Sequence, residues 1–144
     1  MAHIPFHGAV PDGLLYDTDH DVWVRCDGDE VLIGITAFGI FLAGEIIAFT
    51  AKPRGADVAR GRGLGTVESR KTVLAVHSPI SFTLLDMNEA LEERPAPINA
   101  DPYAAWLVRV RPQDWDADRE RLVDAAAYRA HILAVVDDED HGLS

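Results

Sequence analysis

The stretch from Gly61 to Pro79, Gly-Arg-Gly-Leu-Gly-Thr-Val-Glu-Ser-Arg-Lys-Thr-Val-Leu-Ala-Val-His-Ser-Pro, constrains this chain most, because two apolar runs there flank a short polar tip. Val67 on one side and Val73 to Val76 on the other have strand character, and Ser69-Arg70-Lys71 between them is polar, which predicts a β-hairpin with Lys71 at its apex. A lysine on a tight hairpin has its ammonium held in water on a rigid support. An enzyme needs such a support if it is to acylate one lysine and leave others alone, so Lys71 is a candidate modification site. The chain has only one other lysine, Lys52, and its place beside Pro53 in a Lys-Pro-Arg-Gly turn reads as a solvated charge.

The residues leading into the hairpin, Gly55-Ala-Asp-Val-Ala-Arg-Gly61-Arg-Gly-Leu64, have the G-x-x-V-x-x-G-x-x-L layout of lipoyl and biotinyl domains. Biotin carriers show Met-Lys-Met at the tip; here the tip is Arg-Lys-Thr, which disfavours biotin. Glu68-Ser69-Arg70-Lys71-Thr72 resembles the E-S-x-K-[AST] signature of the lipoylated H-protein family, the carrier subunits of the glycine cleavage system. Asp19 to Val24 resembles the family's H-E-W-V element, and Val31 to Thr36 its V-x-x-G-I-T strand. Asn88 to Leu91, Asn99 to Tyr103 and Trp106-Leu107 resemble its N-x-x-L, N-x-D-P-Y and W-L segments. The resemblance implies a mainly β hammerhead lipoyl fold, a sandwich or flattened barrel with short flanking helices and a C-terminal helix. It also implies lipoate joined to Lys71 as an amide, with Glu68, Ser69 and Arg70 around the attachment point and His20 near the arm.

Composition sets the outer bounds. With 144 residues, 48% of them hydrophobic, the chain has enough apolar content for one core. The expected division is a flexible N-terminal arm over 1–13, a lipoyl domain over 14–136 and a solvated acidic tail over 137–144. No apolar run approaches the ~18 residues that span a bilayer, and the first residues lack a signal-peptide layout, so the expected location is cytoplasmic with no membrane insertion. The net charge of −11 argues against nucleic acid. Cys26 is the single cysteine, excludes an internal disulfide and reads as a small strand residue. His3 and His7 have metal-pair spacing, but a proline-rich arm supplies neither a helix nor a third ligand, so no metal site is expected.

Taken in order, Leu14 begins strand territory, and Val22–Cys26 and Glu30–Thr36 pair through Asp27-Gly28-Asp29. Ala37–Ala43 reads as a short buried helix capped by Thr36 and stopped at Gly44. Glu45–Thr50 and Ile80–Leu85 read as strands, and Asp86–Leu91 as polar with one turn of helix. Residues Glu92–Asn99 are expected to be irregular because two prolines interrupt them. Trp106–Val110 alternates and is expected to close the sheet, ending at Pro112. Asp114 or Asp116 then caps a helix with Leu122, Val123, Ala126, Ala130 and Leu133 on its packed face.

No catalytic constellation is present in the sequence: there is no phosphate loop opening a helix and no nucleophile-base set with local support. On the resemblance, the chemistry is expected to belong to the cofactor and the chain to be a carrier, not an enzyme. Several segments depart from the family pattern. Val22 stands before Trp23, Ser81-Phe82 replaces Ser-Gly, Asp101-Pro-Tyr-Ala-Ala-Trp106 lacks glycines, and the Phe41–Pro53 stretch is atypical. These departures resemble the divergent lipoate-binding proteins of sulfur-oxidising bacteria, which serve a heterodisulfide-reductase-like complex. The alternatives are a glycine cleavage carrier bearing an aminomethyl group and an unmodified binding module. The partners implied are a lipoate ligase or transferase, the heterodisulfide-reductase-like complex or the glycine cleavage enzymes, and a dihydrolipoamide dehydrogenase-type oxidoreductase. Phe82 in place of glycine is expected to alter the backbone and, if exposed, to anchor a partner.

Overall fold

The computed structural model describes residues 6–143, with side chains to residue 137. Two antiparallel sheets form the molecule, and they do not close into a barrel. The larger contains β1 (Leu15–Asp17), β2 (Val22–Asp27), β3 (Glu30–Ile35), β5 (Asp57–Val58), β8 (Phe82–Met87) and β9 (Val108–Pro112), in the order β1-β2-β3-β9-β8-β5. The smaller contains β4 (Ile46–Ala51), β6 (Gly63–Ser69) and β7 (Val73–His77), in the order β4-β6-β7. Between them lies the main core, with Val24, Ile33, Leu84 and Val110 from the large sheet meeting Phe49, Val67 and Val76 from the small one.

The first hairpin forms where Asp-Gly predicts it, with Asp27 paired to Glu30 and Gly28 at φ +66°. Trp23 is fully buried opposite Gly34, and a β-carbon on Gly34 would fall inside the indole. The glycine therefore makes room for the ring, whose Nε1 donates to the Pro102 carbonyl at 3.0 Å. Helix α1 (Ala37–Ala43) begins at Thr36, whose hydroxyl accepts from the Gly39 N–H, and it ends at Gly44 with φ +91°.

Several expectations need correction. Proline does not keep Glu92–Asn99 irregular: α2 (Glu89–Glu93), beginning in the stretch expected to hold a helical turn, runs on to Glu93, and α3 (Ala96–Ala100) follows with Pro95 at its N-cap and Pro97 in its first turn. An N–H in that turn has no helical partner in any case, so proline costs nothing there. β9 does not close the large sheet but lies inside it, between β3 and β8. Phe82 is fully buried in regular strand, opposite Val58 and Pro112, and neither bends the backbone nor offers a docking surface.

The helical C-terminal region is split into α4 (Trp115–Arg119) and α5 (Ala125–Leu143). The break occurs because Val123 pairs through its backbone with Tyr16, covering the edge strand β1. Asp124, rather than Asp114 or Asp116, caps α5 by accepting from the Ala127 N–H at 2.9 Å. The packed face of α5 is Ala125, Tyr128 and Ile132, while Ala126, Ala130 and Leu133 are exposed. Tyr128 stacks on Tyr16 with ring centroids 4.6 Å apart. The acidic run Asp137–Asp140 continues α5.

Residues 6–13 are irregular yet docked. The Phe6 ring packs edge-on against Phe38 and Phe41, Tyr103 Oη donates to the Ala9 carbonyl, and Arg129 donates to the Val10 carbonyl. His3 of the suggested histidine pair lies outside the described residues.

Candidate functional site

Lys71 stands exposed at the β6–β7 tip. The turn is built by Ser69, whose side chain is buried. Its backbone N–H donates to the Thr72 carbonyl at 2.8 Å, and its Oγ accepts from the N–H groups of Lys71 and Thr72 at 3.2 and 3.3 Å. A hydroxyl thus takes two backbone donors that a two-residue turn of non-glycine residues would otherwise leave open. Glu68 points to the opposite face of β6, exposed, between Ala48 and Val73. Arg70 reaches the other way, to Glu45 at 3.3 Å. Of the four tip residues, Ser69 shapes the backbone, Glu68 and Arg70 set the surface charge, and Lys71 alone meets the groove described next.

A cavity of about 330 Å³ opens beside the tip, between α1, the free edge of β7 and the β1–β2 turn. Lys71, Thr72 and Leu74 line one wall, Gly39, Leu42 and Ala43 another, and His20 and Asp21 the third. The lysine stem passes the end of α1, where a β-carbon on Gly44 would lie 3.5 Å from Lys71 Cε. The strand beside the tip is held on its outer edge by Asn99, whose amide exchanges hydrogen bonds of 2.8 and 2.9 Å with the backbone of Ile46. Ile46 in turn pairs with Ser69.

His20 is brought to the groove by the turn after β1. The buried Asp17 carboxylate organises that turn, accepting from the Asp19 N–H through Oδ1 and meeting His20 Nδ1 through Oδ2, both at 2.9 Å. His77, which reads from the sequence as a structural or exposed residue before Ser78-Pro79, stacks on His20 with centroids 4.8 Å apart. Asp21 is not singled out by the sequence. It adopts φ +56°, accepts from Tyr128 Oη at 2.8 Å, and burial pushes its carboxyl above the usual carboxylate range. Only the acidic residue beside His20 hinted at it. Lys52 is exposed in its turn, away from the groove, and Cys26 is exposed at the end of β2. Among the described residues no group of His, Cys, Asp and Glu is placed to hold a metal, and no helix is long and apolar enough to cross a membrane.

The sequence model of the family described as "Glycine cleavage H-protein" matches residues 14–134. The chain belongs to the glycine cleavage H-protein family. The glycine cleavage system H protein of Geobacillus kaustophilus is 38% identical over 124 residues, covering 85% of this chain and 96% of the relative. That of Anaeromyxobacter sp. (strain K) is 36% identical over the same length, covering 95% of the relative. A solved glycine cleavage system H protein from Mycobacterium marinum superposes with a TM-score of 0.72 at 31% identity, covering 83% of this chain and 96% of that one. Members of the H-protein family are carriers, not catalysts, and bear lipoate covalently on a lysine. The sulfur-oxidation expectation and its heterodisulfide-reductase-like partner find no support: the relatives bear glycine cleavage names, and the Phe82 docking argument fails on its burial.

Proposed function

We propose that this protein is a glycine cleavage H-protein whose Lys71 carries lipoate as an amide. The observation behind this reading is the presentation of Lys71, exposed on a turn pinned by Ser69 at the mouth of a groove. Of the two lysines, Lys52 has neither feature. The groove fits the group: its volume lies at the lower end of the ~300–1,000 Å³ range of small-molecule sites, and Leu42, Leu74 and Val76 give it apolar walls for a hydrocarbon chain. When bound, lipoate supplies a disulfide that opens to take an aminomethyl group and a dithiol that a partner reoxidises.

The chain's own residues hold and aim. The Ser69-pinned turn fixes the point of departure, Asn99 stiffens the neighbouring strand, and the groove walls exclude water from whatever the arm bears. An arm on the order of 14 Å from the lysine reaches both the groove and a partner's active site. Tethering raises the local concentration of cargo at successive enzymes. Partners on this reading are a lipoate-attaching enzyme, the glycine-decarboxylating and one-carbon-transferring enzymes, and a flavin-type oxidoreductase that reoxidises the arm.

The test is co-expression with a lipoate ligase, peptide mass spectrometry, and reconstituted glycine decarboxylation. The lipoyl mass should fall on the Lys71 peptide, and turnover should match that of a typical H-protein. Modification confined to Lys52 would refute the assignment of Lys71, and an unmodified intact mass with several ligases would refute the carrier reading and restore the unmodified binding module.

A further inference from the structure

The Asp17–His20 pair has a geometry that carrying an arm does not by itself require. A carboxylate only accepts, so His20 Nδ1 carries the proton and donates to Asp17 Oδ2 at 2.9 Å. The tautomer is thereby fixed, and the Nε2 lone pair is left on the side of the ring away from the buried carboxylate. His20 is half-buried and lines the groove that Lys71 also lines. His77 fixes the ring plane by stacking, and its own Nδ1 is committed to the Gly61 carbonyl at 2.9 Å.

We propose that His20 is the general base for the reduced lipoyl arm and Asp17 its positioning residue. This rests on Lys71 being the attachment site. In the groove, a thiol S–H gives its proton to His20 Nε2. The sulfur keeps the electron pair as thiolate, and the imidazolium is stabilised by Asp17. No oxidant or other reactant takes part. The arrangement answers a physical problem: apolar walls such as Leu42, Leu74 and Val76 disfavour a thiolate, and the thiolate is the nucleophilic form. A histidine oriented by a buried carboxylate offsets that desolvation, because the proton moves between neighbours and leaves an ion pair, as in cysteine-histidine sites. The charged and titratable groups facing His20 are Asp17 and Asp21 of its own turn, His77 at the end of β7, and Lys71, which is a neutral amide once loaded. Burial pushes the Asp21 carboxyl up, so it adds less negative charge than an exposed aspartate would.

The test uses lipoylated protein with its arm reduced, in a Cys26→Ser background so that the arm's are the only thiols. Iodoacetamide alkylation is followed against pH. His20→Gln removes the base. Asp17→Asn is the sharper variant: one amide atom still accepts from the Asp19 N–H, while the other can no longer accept from Nδ1, so the imidazole proton moves to Nε2 and blocks it. We expect alkylation near neutral pH to fall on the order of tenfold in His20→Gln and in Asp17→Asn, with the profile moved to higher pH. Thiolate absorbance against pH should shift in parallel. A normal lipoyl mass with unaltered profiles in either of the first two variants overturns the base assignment alone. Absence of the lipoyl mass from Lys71 overturns the assignment of Lys71 and this proposal with it.

Discussion

Lys71 at the tip contributes little packing, so its replacement separates function from fold. Lys71→Arg should leave unfolding free energy within about 0.5 kcal/mol of the parent while abolishing lipoylation, because a guanidinium keeps the charge but does not take the amide. Calorimetry beside intact mass checks both halves. Asp21 behaves oppositely. Burial raises its carboxyl, outweighing the Tyr128 hydrogen bond that lowers it. A native pKa above the unfolded one means the contribution to stability is fully present below the ordinary carboxylate value and is lost as pH rises through the native value. Asp21→Asn keeps an acceptor for Tyr128 and suits φ +56°. It should therefore melt higher than the parent at about pH 7 and no differently at about pH 3, as scanning calorimetry would show.

At the scale of elements, the hairpin tip depends on one hydroxyl. Ser69→Ala removes the acceptor of two backbone N–H groups at the solvent-exposed tip and should cost about 1 kcal/mol in denaturant unfolding. On α5, Ile132→Ala should cost about 2–5 kcal/mol, whereas Leu133→Ala should stay within about 0.5 kcal/mol. That pair also marks what can be read before a structure. The hairpin, the Thr36 cap and the Asp27-Gly28 turn depend on near neighbours, so local patterns expose them. Leu133 shares helical spacing with Ala126 and Ala130, but the position of Tyr128 opposite Tyr16 decides which face is inward, and that is a contact between distant segments. Phe82 looked like a surface feature because a glycine was expected there. Its partners Val58 and Pro112 come from elsewhere in the chain. The groove was invisible for the same reason: α1, β7 and the β1–β2 turn meet only in three dimensions, although Lys71 and His20 were each singled out.

Across the whole molecule, the net charge of −11 acts on encounter rather than on fold. Association with a partner enzyme should slow by on the order of tenfold as ionic strength rises from low to physiological levels, with a smaller change in dissociation, measurable by stopped flow. The position of β9 bears on how the chain is made. Among the described residues Val108–Pro112 alone links the N-terminal hairpin to β8 in the large sheet, so a nascent chain can pair β6 with β7 early but cannot complete the scaffold until the segment after Arg94 has left the ribosome. Asn99, which steadies the strand beside the tip, also arrives late. Ribosome-bound chains halted before residue 95 should thus be poor ligase substrates, and the attached cofactor becomes a record that synthesis ran past β9.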